Sequence, residues 1–205
     1  MAQVAHESYV EEGYANVSRF SSYYFQIQEL LRSKPLSILE VGVGDGVVSG
    51  YIRRNTTITY TTVDFAEDTK PDVIADIRKL PFPDASFDTV SAFEVLEHLP
   101  FEDFETGFGE LVRVARRTVV ISVPHFGPAI KFLLKLPFLP EFKLAFKIPF
   151  PLTHSFNGQH YWEIGKRGYP PSRIREILRR YGRIEREFVP FENQYHHFFI
   201  LEKSA

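Results

Sequence analysis

The sequence predicts an open α/β fold, in which a mostly parallel sheet carries helices on both faces. Apolar strand patterns alternate with helical patterns five times between residues 36 and 123, and the first strand runs directly into a glycine-rich loop. Two more strand patterns, joined by a short polar turn, follow near the end of the chain and predict an antiparallel hairpin there. In such sheets, ligands bind at the carboxyl ends of the strands.

Composition fits one globular domain over residues 1–205. Of these residues 44% are apolar and 24% are charged, and the length is sufficient for a sizeable core. The absence of cysteine excludes disulfides, thiolate metal ligands and cysteine nucleophiles. A net charge of -2 gives no general attraction to nucleic acid or anionic membranes. We expect a cytoplasmic protein, since no signal segment and no run of about 18 apolar residues is present.

Each element is predicted from its local pattern. A helical pattern in residues 9–32 predicts that residues 1–34 form a helical flap over the glycine loop. Continuous apolar or β-branched runs predict five strands, and helices follow the first and fourth of them at residues 47–54 and 101–115. These five strands are Leu36–Val41, Thr57–Val63, Pro71–Ala75, Phe87–Phe93 and Thr118–Val123.

An insertion or lid is predicted over residues 124–170. Six prolines fall between residues 124 and 151, which argues against a long helix or a central strand, so we expect short helical turns. Its phenylalanines and leucines favour a lid that forms an apolar acceptor pocket, and its four lysines leave peripheral membrane contact as the alternative. A helix is then predicted from Pro170, capped by Ser172 and ended by Gly182, before strands at 183–190 and 195–202.

The glycine loop predicts a ligand site. Gly42, Gly44 and Gly46 lack a Cβ atom, so the backbone can turn sharply and approach a ligand closely. Val47 stands where a dinucleotide fingerprint has its third glycine, and Glu40 lies where a carboxylate would repel a diphosphate. The loop therefore favours a ligand with a cationic or neutral head.

Acidic residues recur at successive strand ends. Glu40 lies at the end of the first strand, Asp64 directly follows the second and Asp76 directly follows the third. A carboxylate at position 64, 20 residues after Gly44, suits the vicinal hydroxyls of a ribose. Asp76 and Ile77 together offer an acceptor for an exocyclic amine and an apolar face for an adenine ring.

Taken in order, the motifs resemble the class I S-adenosylmethionine-dependent methyltransferases, in their small-molecule, methyltransferase type 11-like branch. The motifs are Ile38–Gly46, Val63–Asp64, Ala75–Ile77, Leu80–Phe82, Ser86–Asp88 and Phe93–Leu99. The resemblance implies a Rossmann-like seven-stranded sheet in the order 3-2-1-4-5-7-6 and S-adenosyl-L-methionine as cofactor. It also implies the cofactor-binding residues, which are Glu40, Gly42, Gly44, Asp64, Phe65, Asp76, Ile77, Phe93 and Glu94.

Within that resemblance, Gly42, Gly44 and Glu40 serve the methionine end, Asp64 the ribose and Phe65 the adenine. Phe93 and Glu94 line the methionine side and the substrate mouth.

Transfer from a sulfonium requires alignment and exclusion of water, so we expect no metal. Two histidines are candidate catalytic residues that act as a general base: His125 directly after the fifth strand, and His160 in the insertion. Alternation places His196 and His197 on opposite faces of the last strand, so they do not share a metal. The expected acceptor is a small molecule, either with an apolar body or lipid-linked.

Two other functions stay open at this point. A nicotinamide-dependent oxidoreductase would also use Gly42, Gly44 and Asp64, although Val47 and Glu40 argue against it. A non-catalytic partner protein would bind the cofactor behind a mouth that the proline-rich insertion blocks. Nucleic-acid methylation is disfavoured by the acidic balance of the chain.

Overall fold

The computed structural model describes Tyr9 and residues 11–204, so the rest of the predicted flap, residues 1–8 and Val10, lies outside the described residues. The described helices and strands are α1 (Val17–Arg32), β1 (Ser37–Val41), α2 (Val47–Asn55), β2 (Thr59–Asp64), β3 (Val73–Ile74), β4 (Phe87–Phe93), α3 (Phe101–Val114), β5 (Ala115–Pro124), β6 (Ala129–Leu134), β7 (Phe142–Lys147), α4 (Pro171–Leu178), β8 (Gly182–Phe188) and β9 (His196–Lys203). No helix in this part of the chain has the length and apolar character needed to cross a membrane.

Seven strands form one sheet in the order β3-β2-β1-β4-β5-β9-β8. The first five pair in parallel, whereas β9 runs antiparallel to both β5 and β8. The predicted fold class is confirmed. Because β6 and β7 form a separate hairpin, β8 and β9 are the sixth and seventh strands of the sheet, and its order is the expected 3-2-1-4-5-7-6.

The helices cover both faces of the sheet. On one face, Leu30 of α1 and Ile52 of α2 pack with Ile38 of β1. On the other face, Phe104 of α3 and Ile174 of α4 belong to a second apolar cluster. Neighbouring residues of β1 point to opposite faces and are buried on both, which explains its continuous apolar run.

The start and end of α4 differ from the prediction. Pro170 precedes the helix and Pro171 is its first residue, and no side chain caps it, so the predicted role of Ser172 is wrong. Proline suffices there because its fixed φ suits the first turn and its missing N–H would have no partner. Gly182 does not end the helix but opens β8, where a Cβ atom would lie 2.2 Å from the carbonyl oxygen of Glu202.

The insertion contains a β-hairpin instead of the expected helical turns. Strands β6 and β7 pair antiparallel from Ala129↔Lys147 to Leu134↔Phe142. The prolines permit this pairing because they all lie outside the two strands, at positions 128, 137, 140 and 149 around the hairpin. The prolines therefore lie beyond the ends of the two strands, and the apolar residues between the prolines can pair as an antiparallel ladder.

Candidate active site

A cavity of about 520 Å³ opens at the carboxyl ends of β1, β2 and β4. This volume lies within the range of small-molecule sites. Its walls come from the glycine loop, the strand ends, α1 and the segment around His160. Of the predicted site residues, the cavity brings together Glu40, Gly42, Gly44, Asp64, Phe65, Ile77, Phe93, Glu94 and His160.

The glycine loop needs its first glycine for two separate reasons. Gly42 has φ +86°, in the left-handed region, and a Cβ atom there would lie 2.3 Å from Cγ2 of Val95. Its N–H donates to the carbonyl oxygen of Val63 at 2.7 Å, which extends the pairing of β1 and β2. Gly44 has φ +57° but open space around the corresponding position. The loop backbone therefore forms the floor of the cavity.

Asp64 ties the ends of two strands together beside the cavity. Its Oδ2 accepts a hydrogen bond from Val43 N–H at 2.9 Å, and its Oδ1 accepts one from Ala66 N–H at 3.0 Å. The carboxylate is thereby fixed in orientation, and each oxygen keeps a second lone pair for a ligand hydroxyl. This placement agrees with the predicted contact to a ribose.

The predicted adenine residues divide between two places. Phe65 and Ile77 line the cavity, but Asp76 is not among its lining residues. The Asp76 carboxylate is held instead by Arg78, whose Nε and Nη2 donate at 3.0 and 2.6 Å and keep its pKa below the usual range. The structure therefore gives the Asp76 carboxylate a structural ion pair, in contrast to the predicted acceptor for the adenine amine.

Glu40 brings a buried carboxyl group to the wall of the cavity. Burial raises its pKa to about 8, and its Oε2 has no hydrogen-bond partner among the described residues. A buried acceptor without a partner is costly, so a cationic ligand group in the cavity would stabilise it. A diphosphate, which is negatively charged, would not stabilise this carboxyl group.

Phe93 and Glu94 place the end of β4 beside the cavity, as expected. Glu94 has φ +54°, which is unusual for a residue with a side chain, and its N–H donates to the carbonyl oxygen of Ser122 at 2.9 Å. Burial raises the pKa of Glu94, and its Oε1 has no partner in the described part of the chain. Strain of this kind is frequent at functional sites.

Helix α1 contacts the glycine loop. Asn16 caps the helix by accepting from Arg19 N–H at 3.0 Å. The hydroxyl of Tyr23 donates to Oδ2 of Asp45, which joins the helix to the loop. Tyr23, Gln26 and Arg19 all line the cavity.

His160 lies in the wall of the cavity, in the segment that follows the β6–β7 hairpin. Its Nδ1 is 3.1 Å from Oε1 of Glu163, and that oxygen also accepts from the hydroxyl of Tyr195 at 2.9 Å. The segment is docked by Tyr161, whose N–H donates to the carbonyl oxygen of Glu97 at 2.9 Å. The predicted catalytic residue His160 is thus held by a carboxylate and faces the ligand space.

The other predicted catalytic residue, His125, does not face the cavity. Its ring stacks on His197 with centroids 5.0 Å apart, and the two Nδ1 atoms are 3.0 Å apart. Burial lowers the pKa of His125 to about 3. Strand β5 ends one residue earlier, and His125 forms a bridge to Ile164 that turns its ring away from the cavity. Our expectation for His125 was therefore wrong.

Several cavity residues were not predicted from the sequence. Tyr195 and His196 reach the cavity from β9 and the turn before it, and His98 reaches it from the turn after β4. The Nδ1 of His196 is 2.6 Å from Oγ of Ser22, while His197 points away to Glu187. The predicted alternation of these two histidines is confirmed. Because neighbouring residues of a strand point to opposite faces, the sequence indicated that one of the two histidines lies on the face of the site. The alternation did not indicate which of the two histidines this is.

The comparisons with known proteins agree with this architecture. Residues 39–123 match the family model described as "Methyltransferase domain". A search of curated proteins gave no match.

Many solved structures share the fold. An S-adenosylmethionine-dependent methyltransferase from Clostridium acetobutylicum is 13% identical, with 97% of each chain covered and a TM-score of 0.64. The 1,6-didemethyltoxoflavin-N1-methyltransferase of Burkholderia thailandensis, solved with 1,6-didemethyltoxoflavin and S-adenosylhomocysteine, is 16% identical over 93% of this chain and 82% of that one, with a TM-score of 0.59. The magnesium protoporphyrin IX methyltransferase of Synechocystis, solved with S-adenosylhomocysteine, is 16% identical over 97% and 92%, with a TM-score of 0.57.

At these identities the similarity to solved structures establishes the fold, and the match over residues 39–123 adds the sequence signature. The chain therefore has the fold of the S-adenosylmethionine-dependent methyltransferases, and its residues 39–123 carry the sequence pattern of a methyltransferase domain.

Proposed function

We propose that the chain is an S-adenosylmethionine-dependent methyltransferase that acts on a small acceptor with an apolar body, which enters the cavity on the side of His160 and Tyr195. One observation carries the proposal. A single cavity is lined by the glycine backbone and the strand-end acids Glu40, Asp64 and Glu94, and also by His160 and Tyr195. This arrangement suits two ligands that meet in the middle, as in-line group transfer requires.

The cofactor half of the cavity fits S-adenosylmethionine by charge and shape. Asp64 is oriented for the ribose, Phe65 and Ile77 offer apolar surface for the adenine, and the glycine loop allows close backbone approach. The unpartnered Glu40 oxygen suits a cationic ligand. When bound, the cofactor supplies a methyl group that is already activated on a cationic sulphur.

On the acceptor half, we assign His160 as the residue that contacts the nucleophilic atom of the acceptor. Glu163 accepts from its Nδ1, which orients the ring, and Tyr195 orients that carboxylate in turn. Helix α1 covers the same space with Tyr23 and so restricts the entry of water.

The two other functions have less support. A nicotinamide-dependent oxidoreductase would have to bring a diphosphate past the buried Glu40 carboxyl group. A non-catalytic partner would require the insertion to block the mouth. Within the described residues, however, only Gln159 and His160 of the insertion line the cavity, and the β6–β7 hairpin does not.

The hairpin does not form the predicted acceptor pocket, since none of its residues, 129–147, lines the cavity, but its exposed apolar surface supports an acceptor with an apolar body. Its directly paired residues share a face, and one face consists of Ile130, Phe132, Leu134, Phe142, Leu144 and Phe146. These side chains are 43–54% exposed. The other face carries lysines that contact the rest of the chain, since Lys143 pairs with Glu192 at 2.7 Å and Lys131 lies over the Phe191 ring.

We therefore propose that the apolar face receives the apolar part of the acceptor, or the membrane that holds a lipid-linked acceptor. Lysine charge contributes little to either role, because Lys131 and Lys143 are engaged with the loop between β8 and β9.

Calorimetry with S-adenosylhomocysteine and with NADH tests the cofactor half. We expect one molecule of S-adenosylhomocysteine to bind per chain and NADH not to bind. Binding of NADH alone would overturn the proposal and favour the oxidoreductase.

A methyl-transfer screen read by mass spectrometry tests the acceptor half, with water-soluble acceptors and with acceptors dissolved in lipid vesicles. The variant Phe132→Ser should raise KM for apolar acceptors, whereas Leu133→Ser, on the lysine face of the same strand, is the matched control. Equal effects of the two substitutions, or transfer only to small polar acceptors, would contradict the role of the apolar face.

A further inference from the structure

We propose that Glu97, His98 and His160 bind a divalent transition-metal ion in the wall of the cavity. One ligand atom from each residue lies within 4.8 Å of the others. Ligand atoms around such an ion are about 3 to 3.5 Å apart, so the three side chains reach it with shifts of the order of 1 Å. Two imidazoles and a carboxylate suit Mn²⁺, Fe²⁺, Co²⁺ or Zn²⁺ better than Mg²⁺ or Ca²⁺.

The carboxylate of Glu97 gives an independent indication of a missing cation. The side chain is fully buried, and neither of its oxygens has a hydrogen-bond partner within the described part of the chain. The charged groups that act on it, Glu94 and Glu163, are also carboxylates. An isolated carboxylate in a protein interior is costly unless a cation or a proton accompanies it.

The backbone brings the three residues together. Glu97 and His98 lie in a short 3₁₀ turn, Leu96–His98, directly after β4. Tyr161 N–H donates to the carbonyl oxygen of Glu97 at 2.9 Å, so the neighbouring His160 is held against this turn. The rings of His98 and His160 meet edge to face, with centroids 5.1 Å apart.

Both imidazoles are oriented as metal ligands commonly are. Nδ1 of His98 is 3.1 Å from the carbonyl oxygen of Gln159, and Nδ1 of His160 is 3.1 Å from Oε1 of Glu163. An acceptor at Nδ1 fixes the proton there and makes Nε2 the nitrogen that can bind a cation. In both rings the orienting contact is therefore on the nitrogen that a metal ion would not use.

The site would present its open coordination positions to the acceptor. His98 and His160 line the cavity, whereas Glu97 lies behind them. Resting on the proposed function, we infer that the acceptor would bind the ion through a hydroxyl oxygen, whose pKa the ion would lower so that its proton passes to solvent water. His160 would then act as a ligand of the ion, and its assigned contact with the nucleophilic atom of the acceptor would be made through that ion. This inference replaces the expectation from the sequence that the site uses no metal.

Titration of the full-length, chelator-treated protein with Co²⁺, followed by visible absorption, and with Mn²⁺, followed by electron paramagnetic resonance, tests the proposal. We expect one ion per chain. Glu97→Gln and His160→Asn should each weaken binding by about 100-fold, and Glu163→Gln, which removes only the orienting carboxylate charge, by about 10-fold.

His125→Asn is the matched control, since it alters a buried histidine outside the cavity and should leave metal affinity unchanged. Binding of S-adenosylhomocysteine to each variant shows that it is folded and tests the cofactor site separately. No metal binding by a wild-type chain that binds S-adenosylhomocysteine would overturn the metal site alone, and would indicate a protonated Glu97. Metal binding that survives both ligand substitutions would also overturn the proposed site.

Discussion

Replacement of Gly42 by alanine tests the close packing of the glycine loop. The new Cβ atom would lie 2.3 Å from Cγ2 of Val95, at a backbone φ of +86°. The left-handed conformation costs about 1–2 kcal/mol for a residue with a side chain, and forced repacking of a core contact adds about 1–3 kcal/mol. We therefore expect Gly42→Ala to lower the free energy of unfolding by about 2–5 kcal/mol.

Two other glycines separate these contributions. Gly44 has φ +57° with no atom within 4 Å of the position that a Cβ atom would take, so Gly44→Ala should cost only the conformational part, about 1–2 kcal/mol. Gly50 lies within α2 and also has open space, so Gly50→Ala should stabilise the protein by about 0.5–1 kcal/mol. Because Gly44 lines the cavity, its substitution should also weaken binding of S-adenosylhomocysteine.

Urea unfolding of the three variants measures these differences, and a double-mutant cycle isolates the contact. Val95→Ala removes the methyl group that the new Cβ atom would strike, so the double variant should lose about 1–3 kcal/mol less than the sum of the single variants. A Gly42→Ala protein within about 1 kcal/mol of wild type, or simple additivity with Val95→Ala, would refute this account of the loop.

Three other predictions concern the cavity wall. Tyr23→Phe removes the hydrogen bond to Asp45, so urea unfolding should show a loss of about 1–2 kcal/mol; an unchanged midpoint would contradict this. Asp64→Asn should weaken S-adenosylhomocysteine binding about 10- to 100-fold by calorimetry. Asp76→Asn, at a residue that does not line the cavity, should change this binding less than about twofold. Equal losses of affinity in the two variants would indicate that Asp76 does contact the cofactor. The pKa of Glu40 is raised to about 8, so the folded state binds a proton that the unfolded chain releases, and stability falls as pH rises from about 4.5 to 8. Glu40→Gln should therefore stabilise the cofactor-free protein by about 2–4 kcal/mol at pH 8.5 and hardly at all at pH 5, and a difference independent of pH would argue against a buried, protonated carboxyl group.

Local patterns predicted the part of the site that lies on the parallel strands. Each of these strands ends at the same edge of the sheet, so Glu40, Asp64 and Glu94 could be placed together without coordinates. Gly42 and Gly44 were found by the same reasoning, since a loop after such a strand needs residues that tolerate unusual backbone angles. Asp76 shows the limit of this reasoning, because a nearby arginine decides where its carboxylate points.

Local patterns misjudged the insertion. Proline excludes certain conformations but does not select among those that remain, so the run between Pro128 and Pro149 was compatible with turns or with a hairpin. The choice depends on cross-strand pairs such as Phe132↔Leu144, which only pairing of the two strands creates. The exposed apolar face that supports the proposed acceptor follows from this pairing.

The sequence alone predicted the fold class, the strand order implied by the family resemblance, and the cofactor half of the cavity. These features depend on periodicity and on residues that are close together in the chain. Tertiary structure alone decided which residues accompany His160 in the proposed acceptor half. His98, His160 and Tyr195 lie far apart in sequence, and their meeting depends on how the insertion and β9 dock against the turn after β4. The same docking turns His125 away from the cavity. Long-range packing of this kind leaves no periodic signal in a single sequence.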